Sequence, residues 1–490
     1  MRTISRSAVL SALVLSIGRP APAQEKPLPP ADRTPVLRVN PGGPSAPVPC
    51  VAVSPDGSTV YVAGLDKLVR VYARKDGKFA EAAPLRVPLG PGNAGAVNAV
   101  AVSPDGNWVA VGGRSPMRDE AKFSEDGLMV DTRRIPPDMR RDLGVIYLFD
   151  RTNPNGGKVL RGNLGEVRSL AFANPSPAAG PVVVSASTEF DEKGKRSGHV
   201  RTWDAKTGTE LDARSGFPGS TTRPGLAAWP NAAGKVRVAA SWPEVDPKDD
   251  GALFMWDVGQ KKAESFAVGG WNLGLAVRQG KAGPADLIST GFVNLGVAGR
   301  PQYGQLVVRP ANGGEERTIK FPFADGKHFL PLAVLPVGDG YAVLFETAPP
   351  EAGNPRPAVL RLLSADGSVR GEAVIAKLSP AFLPSLAASA DGKTLAVAGF
   401  DDHRVEVLDT AALAVGKEAS QRLPGAVGGF RRVHFVAGNR LWLQARGDEL
   451  DGVTAFDLTK RPVSEKAASK KHAAAVGAAR LSLEGVRAEN

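Results

Sequence analysis

The amino-acid sequence predicts an all-β fold assembled from repeats of one β-rich unit. Three observations support this prediction. Apolar and polar residues alternate in many short runs, which is the period of a half-buried strand and not of a helix. Pairs of these runs are separated by turns that contain Asp-Gly or a single glycine. The 490 residues include 56 glycines and 41 prolines, a share that fits a chain with many turns.

The clearest copies of the unit open with a strand that ends in Ser-Pro-Asp-Gly or Ser-Ala-Asp-Gly. They read VAVSPDG from Val51, VAVSPDG from Val100 and LAASADG from Leu386. Proline pre-sets φ at the first central position of a turn, aspartate bonds nearby backbone groups, and glycine accepts the left-handed conformation. Each motif therefore predicts a β-hairpin, with a third alternating run behind it.

Weaker copies fill the rest of the chain and bring the number of units to eight. The marker of each unit is a turn glycine, and the markers are 46 to 74 residues apart: Gly57, Gly106, Gly180, Gly234, Gly283, Gly340, Gly392 and Gly438. The predicted third strands end at Val71–Tyr72, Leu148–Asp150, Thr202–Asp204, Met255–Asp257, Val307–Val308, Leu362–Leu363, Val407–Asp409 and Ala455–Asp457. Seven units remain possible if one weak copy, such as that around Gly283 or Gly340, is an elaborated connection.

The segment HVRTWDAKTGTEL from His199, together with Trp256-Asp257, resembles the end of a WD40 repeat. The Ser-Pro-Asp-Gly openings are shared with WD40 repeats and with YVTN/lactonase-like propellers, and VYVAG from Val60 is similar to the latter. The resemblance, to bacterial secreted WD40-like proteins, implies a β-propeller of four-stranded blades, with eight blades preferred and seven possible. The Gly-His that usually opens a WD40 repeat is missing from these openings. We therefore expect apolar packing, and not a buried histidine network, to hold the blades together.

The N-terminal residues 1–23 have the three parts of a secretory signal in order. Arg2 and Arg6 precede the apolar run Ala8–Gly18, and Ala21–Ala23 is an A-x-A-like cleavage site. The run of 11 residues is shorter than the roughly 20 that a spanning helix needs. The sequence therefore predicts export to the periplasm or the outside, with cleavage near Ala23.

The mature chain divides into three predicted parts. Residues 24–34 form a Pro-rich spacer, 35–460 the repeats, and 461–490 an Ala/Lys-rich basic tail. Propellers are commonly closed by an N-terminal strand that completes the last blade and removes a free edge. Pro35–Val39 is our candidate for that strand, because its sequence, PVLRV, alternates in the same way.

The charge pattern does not indicate a nucleic-acid partner, and no apolar run after the leader is long enough to predict a membrane span. Removal of the leader, which carries three arginines and no acid, lowers the net charge from +11 to +8. The densest charged stretch, Arg114–Asp142, has seven basic and seven acidic residues, whereas nucleic-acid binding needs a clustered basic face. We expect a monomeric propeller.

The single cysteine, Cys50, excludes an intramolecular disulfide, and we expect it to be buried beside the first strand.

No pattern in the sequence predicts a catalytic, metal or cofactor site. The five histidines, His199, His328, His403, His434 and His472, do not have a metal-ligand spacing, and we expect exposed structural positions for His199 and His403. There is no G-x-S-x-G elbow or Walker loop. Asp66 and the pair Asp401-Asp402 are expected to satisfy turn backbone groups.

The strongest functional signal is the position of the long connections. The connection between the second and third strands is expected to be long in five units: Arg114–Leu143, Ser187–Ser197, Ser241–Asp250, Gly291–Tyr303 and Thr347–Pro357. Propeller geometry places these connections on one face, and repeat proteins use such a face for binding. We expect the first three to form one continuous ridge. The candidate partner-binding residues in the first are Phe123, Leu128, Met129, Arg133, Arg134 and Ile135, which combine apolar anchors with a polar rim.

These observations favour a non-catalytic exported scaffold that binds a protein through this face, without a cofactor. An alternative is a lactonase-like propeller enzyme that acts on a small molecule at the channel mouth. A third is a sensor or assembly module. An enzyme would gather acids, histidines or arginines from several blades at the channel mouth.

Overall fold

The computed structural model describes the greater part of residues 49–457. Within that range the description omits 76–77, 90–93, 115–142, 154, 176–178, 191–195, 219–223, 232, 243–250, 268–271, 281–282, 294–302, 311–313, 323–328, 348–355, 379–384, 390, 399–404, 416–419, 424–429, 437–439 and 446–452. The chain divides into two compact units, 1–41 and 42–490, and every described residue belongs to the second.

The second unit consists of consecutive antiparallel sheets, each of which we call a blade. The first four blades contain β1 (Cys50–Val53), β2 (Thr59–Ala63), β3 (Leu68–Lys75), β4 (Lys78–Arg86); β5 (Val97–Val102), β6 (Trp108–Gly113), β7 (Gly144–Asp150), β8 (Lys158–Asn163); β9 (Glu166–Ala173), β10 (Val182–Phe190), β11 (Arg196–Asp204), β12 (Glu210–Pro218); and β13 (Gly225–Pro230), β14 (Val236–Ser241), β15 (Gly251–Asp257), β16 (Glu264–Ala267).

The remaining sheets follow the same pattern. They contain β17 (Asn272–Gly280), β18 (Gly283–Val293), β19 (Tyr303–Pro310), β20 (Arg317–Pro322); β21 (Leu330–Val337), β22 (Gly340–Glu346), β23 (Arg356–Leu363), β24 (Val369–Leu378); β25 (Ser385–Ala388), β26 (Thr394–Ala398), β27 (Val405–Asp409), β28 (Ser420–Leu423); and β29 (Phe430–Val436), β30 (Arg440–Ala445), β31 (Val453–Asp457). A five-residue helix, α1 (Thr410–Ala414), follows β27. Among the described residues, no helix has the length and apolar character to cross a membrane.

The prediction of an all-β propeller is confirmed. Seven sheets have four strands each, in chain order, and seven is the smaller of the two blade numbers that the sequence allowed. The last sheet, of β29, β30 and β31, has three strands among the described residues. All eight predicted third strands are strands that end where expected or a few residues later. The proposed closing strand, Pro35–Val39, lies outside the described residues.

The hairpin at the start of blade 1 shows why Ser-Pro-Asp-Gly forms a turn. The backbone N–H of Gly57 donates to the Ser54 carbonyl at 2.8 Å, and Gly57 has φ of 66°. The Ser54 hydroxyl accepts from the N–H of Thr59 at 2.9 Å, while the Asp56 carboxylate accepts from the N–H of Ser58 at 3.0 Å. The same contacts recur in blades 2 and 7 with Ser103, Asp105 and Gly106 and with Ser389, Asp391 and Gly392.

Five of the eight glycine markers adopt the predicted left-handed conformation: Gly57, Gly106, Gly180, Gly234 and Gly392. The marker of blade 6 was placed wrongly, because Gly338 has the positive φ of 58° and Gly340 begins β22. Gly283 begins β18 after a short connection, and Gly438 lies outside the described residues.

Apolar packing between neighbouring blades forms the core. The first strands of consecutive blades contact one another, from β1 and β5 through to β25 and β29. Between blades 2 and 3, for example, Ile146 and Leu148 pack with Val183 and Trp203, and Trp203 is only 1% exposed. A single blade cannot bury both of its faces, so each one depends on its neighbours.

The connections of each blade fall at two ends. The first-to-second and third-to-fourth connections lie at one end, which we call the turn face. The second-to-third connections, and those that lead to the next blade, lie at the other end, which we call the insertion face. This assignment follows from the antiparallel order of the four strands.

Candidate partner-binding face

The longest connection on the insertion face leaves blade 2 after β6 and returns at β7. Its first residue, Arg114, is fixed through both backbone and side chain. The N–H of Arg114 donates to the Ala96 carbonyl at 2.9 Å, and its own carbonyl accepts from the N–H of Gly95 at 3.1 Å. Its side-chain Nε donates at 3.0 Å to Oε1 of Glu166, which is the first residue of blade 3. The connection therefore leaves the blade from a fixed point.

Glu166 lies at the centre of a small polar cluster. Its Oε1 also accepts from the Asn98 side-chain amide, and its Oε2 accepts from Nη2 of Arg168 at 3.1 Å. Glu166 is 6% exposed, so these charge-assisted hydrogen bonds are partly shielded from water. The cluster joins blades 2 and 3 directly at the base of the connection.

Glycines allow the two blades to approach each other at the same place. A Cβ on Gly112 would lie 2.7 Å from Cγ1 of Val167, and one on Gly144 would overlap the carbonyl oxygen of Gly165, directly before β9. Real Cβ atoms do not make contacts this short, so a larger residue at either position would push the blades apart. Both ends of the connection thus lie against the segment that opens blade 3.

The corresponding connection of blade 4 also begins on blade 3. Its first residue, Trp242, is fully buried and stacks on Phe217 of β12 with ring centroids 4.9 Å apart. Phe254 and Trp256 of β15 complete this aromatic cluster. Such ring pairs add stabilisation beyond the area that they bury.

The expectation of one continuous ridge across blades 2 to 4 is wrong. The expected loop Ser187–Ser197 is mostly strand, because β10 continues to Phe190 and β11 begins at Arg196. The long β10–β11 ladder pairs residue by residue to its end, so only 191–195 connect the two strands. Blade 3 is therefore a short-turned blade between two blades with long connections, and each of these connections starts on it. The other long connections were placed correctly to within three residues.

The six candidate partner-binding residues, Phe123, Leu128, Met129, Arg133, Arg134 and Ile135, lie outside the described residues. Next to the start of their connection, the chain between blades 1 and 2 carries Leu89 on the same face. Its side chain is 70% exposed.

The expectation that His199 is exposed is wrong. His199 is 3% exposed, and its Nδ1 lies 2.9 Å from the Ser215 hydroxyl. It faces the seam with blade 2, as Trp203 does from the same strand, and so its role is structural. His403 lies outside the described residues. Cys50 is buried, as expected.

Asp66 also has a structural contact. Its Oδ2 accepts from Nη1 of Arg70 at 2.6 Å, and both side chains are almost fully buried. This ion pair fixes the short second-to-third connection of blade 1. The pair Asp401-Asp402 lies outside the described residues. Within the described part of the chain, no three His, Cys, Asp or Glu side chains are grouped so that they could hold a metal ion.

On the turn face the carboxylates of the Ser-Pro-Asp-Gly and Ser-Ala-Asp-Gly turns are used by the turns themselves. The pKa of Asp56 is lowered to about 2, chiefly because the hydroxyls of Ser54 and Ser58 donate to the carboxylate. The pKa of Asp391 is lowered for the same reason, with Ser389 as the main donor. These acids hold hairpins closed, and their hydrogen bonds account for their positions.

Sequence reasoning missed Glu166, Arg168 and Trp242. A usable signal was present for two of these positions. A pair of glycines, Gly112-Gly113, ends a strand that is otherwise apolar, which indicates the close approach of another chain segment. The tryptophan directly after β14 is a large apolar residue at the start of a polar connection. Such a residue indicates a buried position against a neighbouring strand.

Comparison with known proteins agrees with this architecture. The family model of the WD domain, G-beta repeat (WD40), matches residues 36–73 and 84–116. The C-terminal WD40 domain of Sif2 is similar in structure, with 14% sequence identity, a TM-score of 0.51, and coverage of 84% of this chain and 95% of that domain. The Dos1 propeller is similar at 10% identity and a TM-score of 0.51, with coverage of 85% of this chain and 93% of that one. No curated protein sequence matched.

The fold defines the class: this chain is a β-propeller, and two of its segments match the model of the WD domain, G-beta repeat. The matched segments belong to blades 1 and 2: the first contains β1, β2 and most of β3, and the second contains β5 and β6. Propellers of this kind are in general scaffolds for protein interactions.

Proposed function

We propose that this chain is an exported, non-catalytic propeller that binds a protein partner through its insertion face. The principal contact is the blade 2 connection between Arg114 and Leu143. The observation that carries the proposal is that this connection and that of blade 4 both start from fixed points on blade 3. Arg114 bonds Glu166, and Trp242 stacks on Phe217.

The composition of the blade 2 connection supports the same function. Its charges balance, and Phe123, Leu128, Met129 and Ile135 provide apolar side chains that could enter a pocket on a partner, with Arg133 and Arg134 at the rim. Exposed Leu89 adds apolar surface on the same face. An apolar centre within a polar rim is the usual anatomy of a protein interface.

The test is affinity capture from cell-envelope extract with the purified mature chain and with two shortened chains. One lacks 115–142; the control lacks 294–302, on the same face between β18 and β19. We expect the first deletion to abolish capture of whatever the intact chain retrieves, and the control to retain it. Equal capture by all three folded chains would overturn the assignment.

Export is tested separately by N-terminal sequencing of the native protein. The proposal expects a first residue near Gln24, because the signal features end at Ala23. An intact Met1 on the protein in the envelope fraction would contradict the export part of the proposal and leave the binding part standing.

A further inference from the structure

We infer that Asn155 is a site of spontaneous deamidation, a covalent modification that adds one negative charge to the turn face. Asn155 lies in the connection between β7 and β8 of blade 2, and Gly156 follows it. The other Asn-Gly pair of the sequence, Asn312-Gly313, lies outside the described residues. The inference does not rest on the proposed function, which concerns the insertion face, so failure of either one leaves the other standing.

The reaction requires an asparagine followed by a residue whose backbone nitrogen can reach the asparagine side chain. The nitrogen of Gly156 attacks Cγ of Asn155 and forms a five-membered succinimide ring. The bond between Cγ and the amide nitrogen breaks, and ammonia leaves with the proton that Gly156 loses. Water then opens the ring at either carbonyl, which gives aspartate or isoaspartate. Glycine hinders this attack least, because it has no Cβ.

The structure places Asn155 in an exposed turn, where the attack is possible without unfolding of a sheet. The Asn155 side chain is exposed, and its backbone N–H donates to Oδ1 of Asn153 at 3.2 Å. The N–H of Gly156 donates to the Asn153 carbonyl at 2.8 Å. That bond must open before Gly156 can attack, and bonds in surface turns open more readily than those inside a sheet.

The same turn requires a glycine after Asn155. A Cβ on Gly156 would lie 2.9 Å from Oδ2 of Asp150. Asp150 is held in place, because its Oδ1 accepts from the backbone N–H of Thr152 at 2.9 Å and of Asn153 at 3.1 Å. The packing that fixes the turn therefore also keeps the pair of residues that makes Asn155 reactive.

Conversion would change the charge of this turn. A carboxylate at position 155 would lie in the connection that the Asp150 carboxylate already organises through its bonds to Thr152 and Asn153. Two like charges within one short turn repel each other. We therefore expect the converted turn to be looser, while the insertion face at the other end of the blade keeps its structure.

Two asparagines of blade 2 are matched controls. Asn153 lies in the same turn, but the residue after it is Pro154, which has no N–H and cannot form the ring. Asn107 is exposed on the same face, but the residue after it is Trp108, whose side chain is only 8% exposed. Each control shares the surroundings of Asn155 and lacks the glycine.

The experiment is incubation of the purified mature chain in mildly alkaline buffer, followed by tryptic digestion and tandem mass spectrometry. Trypsin cuts after Arg151 and Lys158, so Asn153 and Asn155 lie in one peptide and are distinguished by its fragments. We expect replacement of the amide by an acid to be at least about tenfold faster at Asn155 than at Asn107, and absent at Asn153. A sample digested without incubation gives the background.

Two variants test the mechanism. Gly156→Ala places a methyl group on the attacking residue and is expected to slow conversion of Asn155 at least about fivefold. Asn155→Gln keeps the amide but would need a six-membered ring, so conversion at this position should fall to the background. Circular dichroism identifies any variant that does not fold. The inference is overturned if Asn155 stays at the background level, if Asn107 is converted equally fast, or if folded Gly156→Ala is converted at the wild-type rate.

Discussion

The two faces of the propeller use polar residues in different ways. On the turn face, the carboxylates of the Ser-x-Asp-Gly turns serve the turn in which they lie, as Asp56 serves Ser54 and Ser58. On the insertion face, Glu166 bonds residues of two blades. These turns have local contacts that recur in blades 1, 2 and 7, whereas the Glu166 cluster joins two blades through contacts that belong to one place in the fold. The repeated contacts define the fold, and the single ones are where this chain differs from a generic propeller.

A first way to challenge this comparison is to remove a contact that belongs to neither face. Trp203→Ala empties a 1%-exposed site between blades 2 and 3 and is expected to lower the free energy of unfolding by about 3–5 kcal/mol. Val159→Ala on the outer strand β8, where the side chain is 50% exposed, should change it by less than about 0.5 kcal/mol. Chemical denaturation measures both. Similar losses in the two variants would show that stacking between blades is not the main source of stability.

A second test addresses the turn face. Gly57→Ala forces an L-residue to adopt φ of 66°, which costs about 1–2 kcal/mol. Lys393→Ala, in the equivalent turn of blade 7, removes a side chain that is 79% exposed and is the matched control. Denaturant midpoints at constant slope measure the difference. A neutral Gly57→Ala would mean that the hairpin does not need its left-handed residue.

A third test uses pH. Because the folded-state pKa of Asp56 is lowered from 3.8 to about 2, its hydrogen bonds stabilise the fold above pH 4. That contribution is lost as the pH falls from about 4 to about 2. The group is largely exposed, so screening keeps the effect below about 1 kcal/mol. Asp56→Asn should flatten the stability profile between pH 4 and 2. An unchanged acid limb would show that Asp56 does not contribute.

The last test deletes the blade 2 connection and is expected to change the free energy of unfolding least. A chain that lacks 115–142 should keep its free energy of unfolding within about 1 kcal/mol, because the excised segment lies between β6 and β7 and a shorter loop is slightly easier to close. Circular dichroism and denaturation measure the fold and its stability. A large loss would mean that this connection is part of the core.

The contrast between the faces also explains how much the sequence could predict. Val51, Pro55 and Gly57 act within one hairpin, so alternation and turn chemistry were sufficient to locate the third strands and most markers. Glu166 acts between blades, and its partners Asn98 and Arg114 are 68 and 52 residues away in the chain. No local pattern contains that information. The prediction of a loop at Ser187–Ser197 was wrong for a related reason. Thr188 and Glu189 are polar, but they remain in the β10 ladder because backbone pairing with β11 overrides the preference of their side chains.

The close approach at Gly112 and Gly144 has a practical consequence. These two glycines set the spacing of blades 2 and 3 at the two points where the blade 2 connection joins the sheet. These contacts belong to the blades, so we expect them to persist when foreign recognition segments replace residues between Arg114 and Leu143. A library of loops grafted there would diversify binding while the same blades carry every member.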